Sequence, residues 1–135
     1  GMAGGMGFGN NTRATLITRG LAEMARLGTA MGGTPATFSG LAGMGDLIAT
    51  CSSLQSRNTS VGMALGRGEN IADVVASMQM VAEGVKSSAA VLDLATQFGI
   101  EMPITEQVVA VCHGGISAEQ ALSDLLSRGG RSELD

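Results

Sequence analysis

The chain has no tryptophan and no tyrosine, and only three phenylalanines among its 135 residues. Aromatic rings can therefore fill little of an interior, which falls to aliphatic side chains and to nine methionines, whose flexible thioethers adapt to irregular gaps. Cysteine is scarce too. Cys51 and Cys112 sit in apolar sequence with no CxxC spacing and no ligand-rich neighbours, so a disulfide scaffold is disfavoured and reduced thiols in the cytoplasm are expected. His113, the sole histidine, lacks company for a metal site; standing before Gly114-Gly115, it suits a helix end, where cations are favoured. Positive charge is sparse: eight Lys and Arg against twelve Asp and Glu give a net charge of −4, with no basic stripe for a nucleic acid backbone. Any anion must be held locally, by one or two basic side chains.

A long apolar span is also missing. Leu27 to Gly45 carries no charge, but its glycines, its threonines and Pro35 interrupt it, whereas a membrane span needs about 20 predominantly apolar residues. No basic region followed by an apolar core opens the chain, so no signal peptide is expected, and the protein reads as soluble and cytoplasmic.

What is present is helical periodicity. At 135 residues the chain reads as one domain, large enough to bury a core. The lead-in from Gly1 to Gly9 holds GxGxxG-like spacings, but no strand precedes it, so it reads as a close-packed helix or turn rather than a phosphate loop. Asn10, Asn11 or Thr12 can cap a core helix with Leu16, Ile17, Gly20, Leu21, Met24 and Leu27 on its apolar stripe, stopped by Gly28. Thr34-Pro35 opens the next helix. Further helices are expected after Ser56, after Asn70, from Ala82 to Gly99, from Thr105 to Gly114, and from the S-x-x-Q capping box at Ser117. Met78 to Val81 reads as a short extended piece. Six to eight helices without a convincing strand make an all-α multi-helix bundle.

The stretch from Gly40 to Asn58, GLAGMGDLIATCSSLQSRN, concentrates the chemistry. Asp46 is the only charged residue between Ala30 and Gln55, and a carboxylate among Leu41, Met44, Leu47 and Ile48 loses hydration. If Gly45 to Cys51 is helical, Asp46 and Thr50 share a face, carboxylate beside hydroxyl. Ser56-Arg57-Asn58 then opens another helix, and a guanidinium fork beside helix-start N–H groups suits a phosphate. The residues alone leave two readings open. One is a pocket for a small, hydroxylated, phosphorylated molecule; the other is a structural Asp–Arg ion pair, with Ser56 only a helix cap and Thr50 bonded to its own backbone.

The run GLAGMGDLIATCSS followed by SRN resembles the signature of bacterial-type NAD(P)-dependent glycerol-3-phosphate dehydrogenase. GMGFGNNTRATLITRGLAEMARLG at the start and MVAEGVKSSAAVLDLATQFGIEMPI later resemble further blocks of that family, in the same order. The resemblance implies a helical, substrate-binding C-terminal domain over residues 1–135, like those of 6-phosphogluconate dehydrogenase-like enzymes, with the N-terminal Rossmann domain outside the chain. It implies reversible reduction of dihydroxyacetone phosphate to sn-glycerol 3-phosphate with NAD or NADP as cofactor, for glycerophospholipid synthesis.

By the same resemblance, Asp46, Thr50, Ser56, Arg57 and Asn58 bind substrate, and Arg57, Val81 and Glu83 touch the cofactor. Glu83 alone could equally be an acid in a first helical turn, and Val81 only core. The family's catalytic lysine lies upstream of Gly1, so no catalytic residue is expected in the chain, and the 135 residues are expected to be inactive alone. Asn10 and Arg13 stand where the family usually has Asp and Lys. Apolar surface left for docking implies self-association into a homo-oligomer. An alternative reading is a non-catalytic helical interaction or phosphate-binding module; another is a different oxidoreductase with the same kind of helical domain.

Overall fold

The computed structural model describes residues 1–52, 56–77 and 83–127. Among them the chain forms α1 (Met2–Gly5), α2 (Asn10–Ala30), α3 (Pro35–Ser39), a π-helix (Leu41–Gly45), α4 (Asp46–Ser52), α5 (Arg57–Gly66), α6 (Ile71–Ser77), α7 (Glu83–Gln97), α8 (Pro103–His113) and α9 (Ala118–Ser127), and no strand. The all-α bundle expected from periodicity is therefore observed, with more and shorter helices than the apolar pattern indicated. The segment from Met78 to Val81 lies outside the described residues.

Glycine permits a close backbone contact between α1 and α5. Gly62 and Gly66, one turn apart on α5, face Gly1 and Gly5 of the α1 segment. A Cβ on Gly62 would come within 2.9 Å of Gly1 Cα and Met2 N, and a Cβ on Gly66 would run into the Met2 carbonyl oxygen. The two backbones touch because neither side carries a side chain there. The lead-in thus behaves as the close-packed helix its composition indicated.

Against this pair sits one apolar cluster: Val61 and Leu65 of α5 pack with Val74 of α6, Val111 of α8 and Ala121 of α9. A second cluster joins Leu27 of α2 to Ala95 of α7 and to Met102. Aliphatic and Met side chains fill both, as the lack of aromatics requires.

Several helix ends differ from expectation. Gly9, in extended conformation, precedes the first residue of α2, so none of Asn10, Asn11 and Thr12 is the cap. Gly28 does not stop that helix. It continues to Ala30 and turns at Gly32, whose φ of +101° is open only to glycine at low cost. Gly28 is needed for packing instead, since a Cβ there would lie within the Phe38 ring.

The α2 stripe is also shifted. Met24, expected inside, is 40% exposed, whereas Glu23 is only 3% exposed. The Glu23 carboxylate reaches the start of α8: Oε1 accepts from Ile104 N at 2.5 Å, and Oε2 accepts from Thr105 N and Thr105 Oγ1, each at 3.2 Å. Thr105 is therefore not the cap of α8. Met102 occupies that position without a side-chain bond, and a distant helix satisfies the free N–H groups. Beside it, Arg26 Nη2 donates to the Glu101 carbonyl at 3.2 Å. Burial pushes the Glu23 carboxyl above its ordinary range, and its hydrogen bonds and Arg26 offset this only in part.

Candidate functional site

Several of the residues singled out in the sequence stand at helix starts: Asp46 on α4, Ser56 to Asn58 on α5 and Glu83 on α7. Asp46 is the first residue of α4 and Thr50 lies four positions along it, so the backbone gives them the one-face register expected. The helix is entered through the π-helix of Leu41–Gly45, where Gly45 N donates to Gly40 O at 3.3 Å. The glycine-rich run is thus helical rather than a loop. On the other side, Arg13 Nη2 donates to the Cys51 carbonyl at 3.1 Å, tying the last turn of α4 to α2. Arg13 holds the α4 end by the favourable pairing of a cation with a helix C-terminus.

Ser56 caps α5 through its hydroxyl oxygen, which accepts from Thr59 N at 3.3 Å. That use is an acceptor only, so its O–H remains a donor. Arg57 and Asn58 are the first two residues of the helix and both are exposed. Three consecutive donor-bearing side chains therefore surround a helix N-terminus, where the dipole also favours an anion.

Asn58 makes the link that sequence alone does not show. Its Oδ1 accepts from Gly84 N, in the first turn of α7, at 2.9 Å. Gly84 N–H can only donate, so the oxygen must face it and the Asn58 NH₂ is left as a donor. The amide lies against Gly84 closely enough that a Cβ there would meet Oδ1 at 2.9 Å and Cγ at 3.0 Å. On the same turn, His113 Nε2 bonds the Val85 carbonyl at 2.7 Å; a carbonyl only accepts, so the imidazole carries its proton on Nε2. His113 does end α8, as its position before two glycines indicated. The first turn of α7 is thus held from both sides, and Glu83 is its first residue. Val81 lies outside the described residues.

A cavity of about 350 Å³ has Asn58 and Gly84 among its lining residues. Its walls are otherwise almost wholly apolar, with Met2, Leu16, Val61, Val108 and Leu122 among them. Gln107 also lines it, and its Oε1 is buried without a protein partner. Such walls suit the core of a helical domain rather than a phosphate. The polar chemistry is outside, on the α5 and α7 starts.

The residues present fit a phosphate-bearing dinucleotide as well as a phosphorylated substrate. Arg57 offers a fork of donors in a helix first turn, and Gly84, without a side chain, admits the Asn58 amide against the start of α7. Gly84 and the paired role of Asn58 are what the sequence reading missed. The only available signal was the glycine directly after Glu83, since a contact across 26 residues leaves no local pattern.

Residues 1–123 match the family described as NAD-dependent glycerol-3-phosphate dehydrogenase C-terminus. The chain is 56% identical over 133 residues to glycerol-3-phosphate dehydrogenase [NAD(P)+] of Streptomyces griseus, which covers 98% of this chain and 40% of that protein. It is 55% identical, with the same coverage, to the protein of the same name from Geobacter sulfurreducens. The chain also superposes on the crystal structure of glycerol-3-phosphate dehydrogenase from Coxiella burnetii with a TM-score of 0.88 and 42% identity, over 94% of this chain and 39% of that one. It spans about 40% of the length of the relatives it matches. By these matches the chain belongs to the NAD-dependent glycerol-3-phosphate dehydrogenase family and corresponds to its C-terminal, helical part.

Proposed function

We propose that the chain is the substrate-binding helical domain of a cytoplasmic glycerol-3-phosphate dehydrogenase, which reversibly reduces dihydroxyacetone phosphate to sn-glycerol 3-phosphate for glycerophospholipid synthesis. The observation that carries this reading is the Ser56-Arg57-Asn58 triplet opening α5 in a chain that matches the family over residues 1–123. Arg57 binds the phosphate, with the Ser56 hydroxyl and the Asn58 NH₂ as further donors. Asp46 and Thr50, one turn apart on α4, orient the substrate hydroxyls. Arg57, Val81 and Glu83 hold the nicotinamide cofactor, NAD or NADP, which when bound supplies the hydride.

No residue of the chain is assigned the proton. Its sole lysine, Lys86, is exposed on α7. The catalytic lysine and the Rossmann domain are proposed to lie outside these 135 residues. No nucleic acid partner is proposed, in keeping with the net charge of −4. Among the described residues, no helix is long and apolar enough to cross a membrane. Exposed apolar side chains such as Phe8, Ile48 and Leu126 favour self-association of the isolated chain. Calorimetric titration of the chain with glycerol 3-phosphate tests the reading, and the absence of binding overturns it.

A further inference from the structure

We infer that Asn58 is a positioning residue as well as a substrate contact: through Gly84 it fixes the first turn of α7, and so Glu83, against the anion-binding start of α5. The inference rests on the functional reading above for what the two helix starts bind, but the clasp itself rests on geometry. α7 begins with N–H groups that have no partner within their own helix. Gly84 N donates its hydrogen to Asn58 Oδ1, 26 residues earlier in the chain, at 2.9 Å. The Asn58 side chain thus serves as a cap borrowed from another helix. It lies close against Gly84, and a Cβ at that position would meet the amide at 2.9–3.2 Å. Glycine at 84 lets the Asn58 amide sit this close without being displaced. The His113 ring holds the adjacent carbonyl of Val85, so the turn is restrained on its donor and its acceptor side.

A consequence concerns the amide's two ends. Because Oδ1 is occupied by Gly84, the NH₂ keeps a fixed orientation and presents a donor beside Arg57 without a search over flips. One side chain therefore joins the substrate side, on α5, to the cofactor side, on α7. Loosening α7 should weaken substrate binding even where Asn58 itself is unchanged. A residue that merely touched substrate would have no such effect.

Amide hydrogen exchange and glycerol 3-phosphate titration on the 135-residue chain separate these roles. In Asn58→Ala the Gly84 amide should exchange about ten-fold faster, the factor for loss of one net hydrogen bond. Asn58→Asp keeps an acceptor and should restore that protection, while losing the donor and repelling the phosphate, so affinity stays low. Gly84→Ala leaves the Asn58 side chain chemically intact but pushes it away; affinity should fall by about three- to ten-fold, in line with one displaced hydrogen bond. An unchanged Gly84 exchange rate in Asn58→Ala overturns the clasp. Full affinity in Gly84→Ala with faster α7 exchange overturns the link between α7 and the substrate. If the unsubstituted chain does not bind glycerol 3-phosphate at all, the functional reading and the link both fail, and the exchange rates then judge the clasp alone.

Discussion

Glu23, in the middle of α2, caps the start of α8 by accepting from both the N–H and the hydroxyl of Thr105, 82 residues away. A helix N-terminus carries partial positive charge and unsatisfied donors, and a carboxylate answers both. The position costs hydration, however, and burial prevails over the hydrogen bonds in setting its acidity.

The contribution of Glu23 to the stability of the chain should therefore fall as pH rises through the range just above the ordinary Glu value. A carboxyl whose folded pKa is raised binds its proton more tightly in the folded state. Its contribution is fully present below the unfolded pKa and is lost as pH climbs through the folded one. Urea midpoints measured from pH 4 upward should show this decline, and Glu23→Gln should remove its share of the slope. Glu23→Ala, which strips all three bonds from the α8 start, should lower stability at any pH by about 1–3 kcal/mol. A Glu23→Gln profile parallel to that of the unsubstituted chain would contradict the assignment.

Two glycine substitutions should move stability in opposite directions. Both Gly20 and Gly62 lie inside helices, where alanine is ordinarily better by about 0.5–1 kcal/mol. A Cβ on Gly20 meets nothing within 4 Å, so Gly20→Ala should gain that amount. A Cβ on Gly62 presses on the backbone of Gly1 and Met2, so Gly62→Ala should lose about 1–3 kcal/mol from overpacking, more than the helix gains. Thermal unfolding of the two variants decides it. Stabilisation of both would mean that the α1–α5 contact is looser than the glycine pairs imply.

The 135 residues alone should not oxidise NADH with dihydroxyacetone phosphate. Reducing the ketone needs a proton donor at its oxygen, and the side chains placed at the α4, α5 and α7 starts are assigned to binding. Absorbance of NADH at high chain concentration should stay flat. Turnover would show that one of these side chains gives up the proton, with Asp46 the first to replace.

What could be read from the sequence was local. Periodicity marked the helices, Ser56 and Ser117 were visible as caps, and both side chains accept the expected backbone N–H, from Thr59 at 3.3 Å and Gln120 at 3.0 Å. The box at Ser117 closes only halfway, because the Gln120 side chain turns to Asp124. What could not be read was borrowed. Asn58 caps α7 and Glu23 caps α8, and neither bond leaves a trace in the residues next to those helices. Glu23 stands off the apolar stripe of α2, where charge ordinarily means a wet face, and yet it is buried. Gly28 looked like a stop, while its real use is to admit the Phe38 ring. The site followed the same division: Ser56, Arg57 and Asn58 could be placed from one short motif, and their relation to α7 could not.

Arg57 should dominate the affinity for glycerol 3-phosphate. It stands in the first turn of α5, where the helix dipole and its own charge act together on an anion. A charge-assisted bond to a phosphate is worth about 1.5–3 kcal/mol, so Arg57→Ala should weaken binding by about ten- to a hundred-fold. Arg57→Lys keeps the charge but loses the planar fork, and should recover only part of the loss. Lys86, exposed on α7, serves as the control for charge alone: Lys86→Ala should stay within about two-fold, as surface changes usually do. Raising the salt should weaken the unsubstituted chain more than Arg57→Ala, because salt screens the guanidinium–phosphate attraction that the alanine variant cannot make. Equal losses from Arg57→Ala and Lys86→Ala would mean that the anion feels only the overall field of the domain, and the triplet would then be no binding site.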